Sequence, residues 1–93
     1  MDRAIERCKI GTRLLVVEST YRPELNGSVH MITRLDPLSR RLFGCASSSD
    51  PSREFAMELA KTGLEWLDND TIRYPIGRKD RHGRPHMVSL RFL

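Results

Sequence analysis

The chain of 93 residues has few of the features by which membrane proteins, exported proteins and common enzymes are recognised. No apolar run approaches the roughly 20 residues that a membrane-spanning helix needs. Residues 1–7, MDRAIER, are too charged for the start of a secretory signal, so we expect a cytoplasmic protein. The chain has no Gly-x-Ser-x-Gly motif, no phosphate loop and no dinucleotide fingerprint. We therefore predict that it is not an enzyme and needs no cofactor.

Cysteine is scarce as well. Cys8 and Cys45 are separated by 36 residues, and in a cytoplasmic chain two such residues are predicted to be free thiols. His82 and His86 have the His-x3-His spacing of half a zinc site, but no Cys-x2-Cys pair supplies the other half. The spacing therefore predicts no metal site.

Lysine is rare, whereas arginine is common: 13 of the 16 basic residues are arginine. The charge is also unevenly distributed, because residues 47–70 carry a net charge of −4 and residues 71–93 a net charge of +5. Arginine makes planar, bidentate contacts with phosphate or carboxylate and stacks on nucleobases. Codon usage in a GC-rich genome is the other explanation of the arginine bias.

The pattern of apolar residues predicts a mostly-β protein, with some α+β character, that forms a single domain over residues 1–93. Short apolar or alternating runs predict about six strands, at residues 12–19, 28–35, 41–46, 64–67, 71–76 and 86–92. One helix is predicted over residues 51–62. Its signals are the N-cap residue Asp50, an apolar stripe at Phe55, Ala56, Leu59 and Ala60, and Gly63 after its last turn.

The stretch from Gly11 to Ile32 carries a family resemblance. Gly11-x-x-Leu14-x-Val16, followed by Gly27-Ser28-Val29 and Met31-Ile32, resembles the KOW-type opening of SH3-like barrels in ribosomal proteins and transcription elongation factors. The resemblance covers about a quarter of the chain and implies a small antiparallel barrel, with the helix inserted after the third strand. It differs from the family pattern in having no glycine between Ser19 and Asn26. In overall style the chain also resembles small phage proteins, for which the expected location is the host cytoplasm.

The C-terminal segment is the strongest functional signal. Residues 77–85, GRKDRHGRP, are predicted to form a long basic loop between two strands. With arginines on the flanking strands, this loop predicts a basic face for nucleic acid or a ribonucleoprotein. The predicted contact residues are Arg73, Arg78, Lys79, Arg81, Arg84 and Arg91, extended by Tyr21, Arg22, Arg40 and Arg41. Tyr21 is expected to be exposed, as an aromatic platform for stacking.

A second interpretation is a protein inhibitor of the phage kind, such as an anti-CRISPR-type protein that blocks a host defence complex. It would act by protein–protein contact through the acidic helix or the Tyr21 loop. A homodimer is a further possibility if the edge at residues 64–67 or at the third strand is uncovered.

Overall fold

The computed structural model describes residues 3–45 and 54–93. These residues form one antiparallel sheet of seven strands, preceded by a single short α-helix. The elements are α1 (Arg3–Arg7), β1 (Arg13–Ser19), a 3₁₀ turn (Pro23–Leu25), β2 (Val29–Asp36), β3 (Arg41–Cys45), β4 (Phe55–Glu58), β5 (Glu65–Trp66), β6 (Thr71–Lys79) and β7 (Pro85–Phe92). The prediction of a mostly-β protein is confirmed.

The strands lie side by side in the order β4-β3-β2-β1-β7-β6-β5. β7, the last strand in sequence, pairs with both β1 and β6 and so stands near the middle of the sheet. Register shifts interrupt the β1–β7, β2–β3 and β6–β7 ladders. Such bulges bend a strand and increase its twist, which favours a curved sheet.

The hydrophobic core lies on one face of this sheet. Leu14 and Val16 of β1, Ile72 and Tyr74 of β6, and Leu90 of β7 are each at most 2% exposed. They fall at alternate positions of their strands, because successive side chains of a strand point to opposite faces. Apolar burial on this face is the main source of the fold's stability.

The sheet curls but does not close into a barrel. The Tyr74 hydroxyl lies 4.0 Å from Met57 Sδ, which brings β6 and β4, from opposite halves of the strand order, close together. Within residues 3–45 and 54–93, however, no strand ladder joins β4 to β5 or β6. In this part of the chain β4, with four residues, pairs with β3 alone, and β5, with two residues, pairs with β6 alone.

The helix predicted over residues 51–62 is wrong wherever the structure describes that range, and residues 51–53 lie outside the described part. Residues 55–58 form β4 and pair with β3, with Leu42 opposite Met57. Leu59, the next residue, is 1% exposed and its amide donates to the Arg40 carbonyl. Pairing with β3 therefore overrides the local helical signals, since Met57 and Leu59 reach the core at the spacing of two that a strand provides.

α1 and the turn after it cover one end of the core. Ala4 and Cys8 are buried, and Ile5 packs against the same cluster. Cys8 and Cys45 are both buried, and burial raises the pKa of the Cys8 thiol to about 11. Among the helices of the described residues, none has the length and apolar character needed to cross a membrane.

Of the two strands predicted as possible free edges for a homodimer, only one lies at an edge of the sheet. β3 is an internal strand that pairs with both β2 and β4, so the hypothesis of a free edge there is wrong. β5 stands at the end of the strand order and pairs with β6 alone.

Candidate nucleic-acid interface

The basic loop predicted over residues 77–85 is shorter than expected. β6 continues to Lys79 and β7 begins at Pro85, and these two residues face each other in the ladder. Only residues 80–84 form the turn. The predicted basic segment is therefore a β-hairpin whose cations lie partly on its strands.

Asp80 organises this turn. Its Oδ1 accepts hydrogen bonds from the amides of His82, at 2.8 Å, and Arg84, at 2.9 Å. The Asp80 amide in turn donates to the Arg84 carbonyl, and Gly83 adopts a φ of 79°, which favours glycine. The turn thus has a defined backbone conformation.

A bulge lies just before the turn, on β6. Three residues lie between Pro75 and Lys79, whereas only one lies between their partners on β7, Met87 and Pro85. Gly77, inside the bulge, has a φ of 82°, a conformation that L side chains rarely adopt. The bulge redirects the chain where Arg78 follows, and the Arg78 guanidinium lies 4.9 Å from the centre of the Tyr21 ring.

Four cations, here called the tip cations, occupy the end of the hairpin, and all four are exposed. Within residues 3–45 and 54–93 no carboxylate lies at ion-pair distance from any of them. The only acidic residue of the turn, Asp80, accepts hydrogen bonds from backbone amides instead. The tip cations are Arg78, Lys79, Arg81 and Arg84.

Tyr21 lies in the loop after β1, beside the end of the hairpin that carries the turn. It is 44% exposed, which confirms the prediction of an exposed position. Its ring meets the His86 ring edge to face, with centroids 5.2 Å apart, and the Thr20 hydroxyl is 3.0 Å from His86 Nδ1. The exposed Tyr21 and Arg78 and the half-buried His86 therefore form one cluster of planar groups.

The loop that carries Tyr21 is held by its own side chains. Asn26 Oδ1 accepts a hydrogen bond from the Ser19 amide at 2.7 Å, and Ser19 Oγ accepts one from the Arg22 amide at 3.0 Å. The Arg22 side chain donates to Glu24 at 2.9 Å, and this bond is the main reason why the pKa of Glu24 lies below its usual value. Tyr21 is thus presented by an ordered loop.

A groove with a volume of about 320 Å³ lies next to this cluster, between β4 and β6. Apolar side chains of β1, β4, β6 and β7 line it, among them Val16, Met57, Ile76 and Val88. Its exposed lining residues include Tyr21, Arg22, Glu58 and Arg78. The groove exists because the sheet curls without a ladder between β4 and β6.

Arg73 and Arg91 lie elsewhere on the hairpin. Arg91 stands opposite Thr71 in the β6–β7 ladder, and Arg73 is two residues from Thr71, so both arginines share the face away from the core. Arg73 contacts Glu65 at 3.7 Å. Arg91 is exposed and contributes to the lowered pKa of Asp68, whose main cause is the Asp70 amide donating to that carboxylate.

Arg40 is not available for a partner, so its place among the predicted contact residues is wrong. It is 7% exposed, and its guanidinium donates to the carbonyls of Leu59 and Ala60, each at 2.9 Å. Arg41 is exposed on β3, opposite Asp36 in one ladder and Glu58 in the other, with acidic neighbours on both sides. The predicted residues that the structure brings together are Tyr21, Arg22 and the tip cations.

Two parts of the site were missed by sequence reasoning. The contact of His86 with Tyr21 has no local signal in the sequence, because it follows from the pairing of β1 with β7. Thr20 and Met87 share a backbone hydrogen bond of 3.0 Å at that point. The groove has no local signal, because its lining comes from strands that are distant in the chain.

In the described residues, no group of three or more histidine, cysteine or acidic side chains is placed to hold a metal ion.

Comparisons with protein-family models, with curated proteins and with solved structures found no match to this chain.

Proposed function

We propose that the protein is a non-enzymatic binding module that contacts nucleic acid, either free or in a ribonucleoprotein, through the end of the β6–β7 hairpin. The observation that carries the proposal is the set of tip cations without an acidic partner in the described residues. A set of exposed, uncompensated cations produces a local positive potential, which attracts a polyanion and raises the rate of association. The kinship with SH3-like barrels and the cytoplasmic location belong to the same proposal.

The order of the hairpin supports this function. The Asp80 hydrogen bonds fix the turn, so its backbone loses little conformational freedom when the tip cations meet phosphates. Tyr21 adds an exposed ring beside Arg78, and aromatic rings next to arginine are the usual surface on which unpaired bases stack.

The experiment that tests this proposal is a salt titration of binding. Labelled single-stranded and double-stranded DNA and RNA are followed by fluorescence polarisation. If the four tip cations meet phosphates, the logarithm of the affinity falls with the logarithm of salt concentration at a slope of about −4. The triple variant Arg78→Ala, Lys79→Ala, Arg81→Ala should bind more weakly, with a slope reduced to about −1.

A matched control removes three exposed cations outside the hairpin, with Lys9→Ala, Arg13→Ala and Lys61→Ala. It changes the net charge by the same amount and should keep most of the slope. An equal loss of affinity and of salt dependence in both triple variants would mean that net charge alone drives binding. Affinity unchanged by the hairpin substitutions, or no binding even at low salt, would reject the proposal.

The second candidate is a protein inhibitor of the phage kind, and the groove beside Tyr21 is the observation that favours it. The acidic helix of that interpretation does not form in the described residues, where Glu54 instead binds Arg34 and Thr33. The Tyr21 loop would then be the contact surface. Capture of the same host protein complex before and after nuclease treatment, with no affinity for purified nucleic acid, would favour this candidate.

A further inference from the structure

The groove between β4 and β6 has the size and lining of a small-ligand site. Its volume of about 320 Å³ lies at the lower end of the roughly 300–1,000 Å³ that such sites occupy. Its lining is mainly apolar, with Val16, Ile76 and Leu90 among the residues that form it. A planar ring with apolar faces fits this lining better than a charged or branched polar group does.

The mouth of the groove carries planar groups. The Tyr21 ring is 44% exposed, with the Arg78 guanidinium 4.9 Å from its centre and the His86 ring at its edge. Aromatic rings and guanidinium planes both stack on nucleobases, whatever the identity of the base. A base that leaves its stack next to Arg78 therefore meets Tyr21 first.

Polar atoms beside these planar groups suit the edge of a base. Arg22 supplies guanidinium donors and Glu58 supplies carboxylate acceptors, and both are exposed residues of the groove lining. Carboxylates accept hydrogen bonds from the exocyclic amino groups of bases, and arginine donates to their ring nitrogens and carbonyls. Arg78 lines the groove, and the other three tip cations, which lie outside it, are placed to hold the phosphates on either side.

We infer that the groove receives one unstacked nucleobase of a single strand whose phosphates lie on the tip cations. This inference rests on the proposed function and adds to it a preference for unpaired nucleic acid. Bases inside a duplex are paired and stacked, so they do not enter a groove of this kind unless the duplex opens. A duplex contacts the tip cations alone.

The first test compares one labelled single-stranded oligonucleotide with the same strand in a duplex, at fixed salt concentration. Wild-type protein should bind the single strand about tenfold more tightly, because stacking of one base on an aromatic ring has about that effect. Tyr21→Ala should lose this preference and keep the duplex affinity, whereas Tyr21→Phe, which retains the ring, should restore it. Leu38→Ala, at an exposed position in the β2–β3 turn, is the control for removal of an apolar surface group.

The second test places a fluorescent adenine analogue in the single strand, because stacking on an aromatic ring changes its emission. Emission should change on binding to wild type and not on binding to Tyr21→Ala. Ile76→Trp fills the groove and should remove the same signal. If Ile76→Trp does not fold, as checked by thermal unfolding, the affinity of an unlabelled-base strand is compared with that of a strand lacking one base, and the strand without the base should lose the affinity advantage of the single strand over the duplex.

The outcomes separate this inference from the proposed function. Equal affinity for single strand and duplex, with both lost in the hairpin triple variant, would overturn the inference and leave the function standing. No binding to any nucleic acid at low salt would overturn both. A single-strand preference that survives Tyr21→Ala, or a wild-type complex without a change in emission, would show that the groove does not hold the base.

Discussion

Arg40 ties the turn between β2 and β3 to the segment that follows β4. Its backbone has a φ of 60°, a region that side chains other than glycine seldom occupy. Its guanidinium donates to two carbonyls, those of Leu59 and Ala60, in a place where Leu59 is fully buried. The two charge-assisted hydrogen bonds of the guanidinium therefore offset the backbone strain of the turn.

Arg40→Ala should lower the free energy of unfolding by about 1–3 kcal/mol, because it leaves two carbonyls without their donor. Arg40→Gly loses the same hydrogen bonds but relieves the backbone, so it should be less destabilising by about 1 kcal/mol. Chemical denaturation measures both, with Arg41→Ala as the exposed neighbouring control. Equal stability of the alanine and glycine variants would show that the backbone of this turn is not strained.

His30 makes the stability depend on pH. It is 3% exposed, its Nε2 lies 2.7 Å from the Ser28 hydroxyl, and burial lowers the pKa of its ring below the ordinary value of 6.5. The folded state therefore binds fewer protons than the unfolded state between the two pKa values. Stability is complete above the unfolded pKa and is lost as the pH falls toward the folded one.

We expect the free energy of unfolding to decrease as the pH falls below about 6.5, the ordinary pKa of histidine, by at most about 1.4 kcal/mol per pH unit. His30→Gln should remove this decrease, whatever its effect on stability at neutral pH. His82→Gln, at an exposed position in the hairpin turn, should keep it. Denaturation curves at several pH values provide the measurement, and a pH dependence that persists in His30→Gln would assign it to another group.

At the scale of elements, the β6–β7 hairpin combines an ordered turn with a high positive charge. Asp80 supports the order of the turn, because its carboxylate accepts two backbone hydrogen bonds. The same carboxylate reduces the positive charge of the hairpin, because it lies among the four tip cations. An asparagine keeps an acceptor oxygen and removes the charge, whereas an alanine removes both.

Asp80→Asn should raise the affinity for nucleic acid by about fivefold at low salt, because a like charge about 4 Å from a phosphate costs about 1 kcal/mol in water. Asp80→Ala removes the same charge but loosens the turn, so its gain should be smaller. Polarisation measurements on the two variants make the comparison. An alanine variant that binds more tightly than the asparagine variant would mean that the order of the turn does not assist binding.

β4 shows what the sequence predicts and what it does not. The strands around it were predicted within a few residues, because β-branched runs and turn residues are local signals. Residues 55–62 fit a helical stripe equally well, and only pairing with β3 decides for a strand. The site divides in the same way: the exposed Tyr21 and the basic hairpin follow from local sequence. The burial of Arg40, the contact with His86 and the groove depend on which distant strands become neighbours.

At the scale of the molecule, the sheet has a well-paired centre and short edges. β7 is paired on both sides and carries Leu90, which has no exposed surface. β4 and β5, at the two ends of the strand order, have four and two residues. The groove proposed as a binding site lies beside one of these edges, and the tip cations extend beyond the core, so the proposed binding surface belongs to the less stable part of the fold.

Hydrogen exchange tests how local stability differs between the central strand and the edge strands of the sheet. Amides of β7 should exchange only through global unfolding, with a free energy of roughly 5–15 kcal/mol, whereas those of β4 and β5 should exchange faster by local opening. Exchange in β5 as slow as in β7 would contradict this prediction.

A single-stranded oligonucleotide should add protection at the Tyr21 loop and at residues 78–86, because bound bases and phosphates cover those amides, and should add none at α1. Protection spread evenly over the chain would instead indicate that the ligand stabilises the whole fold without a defined contact at the hairpin.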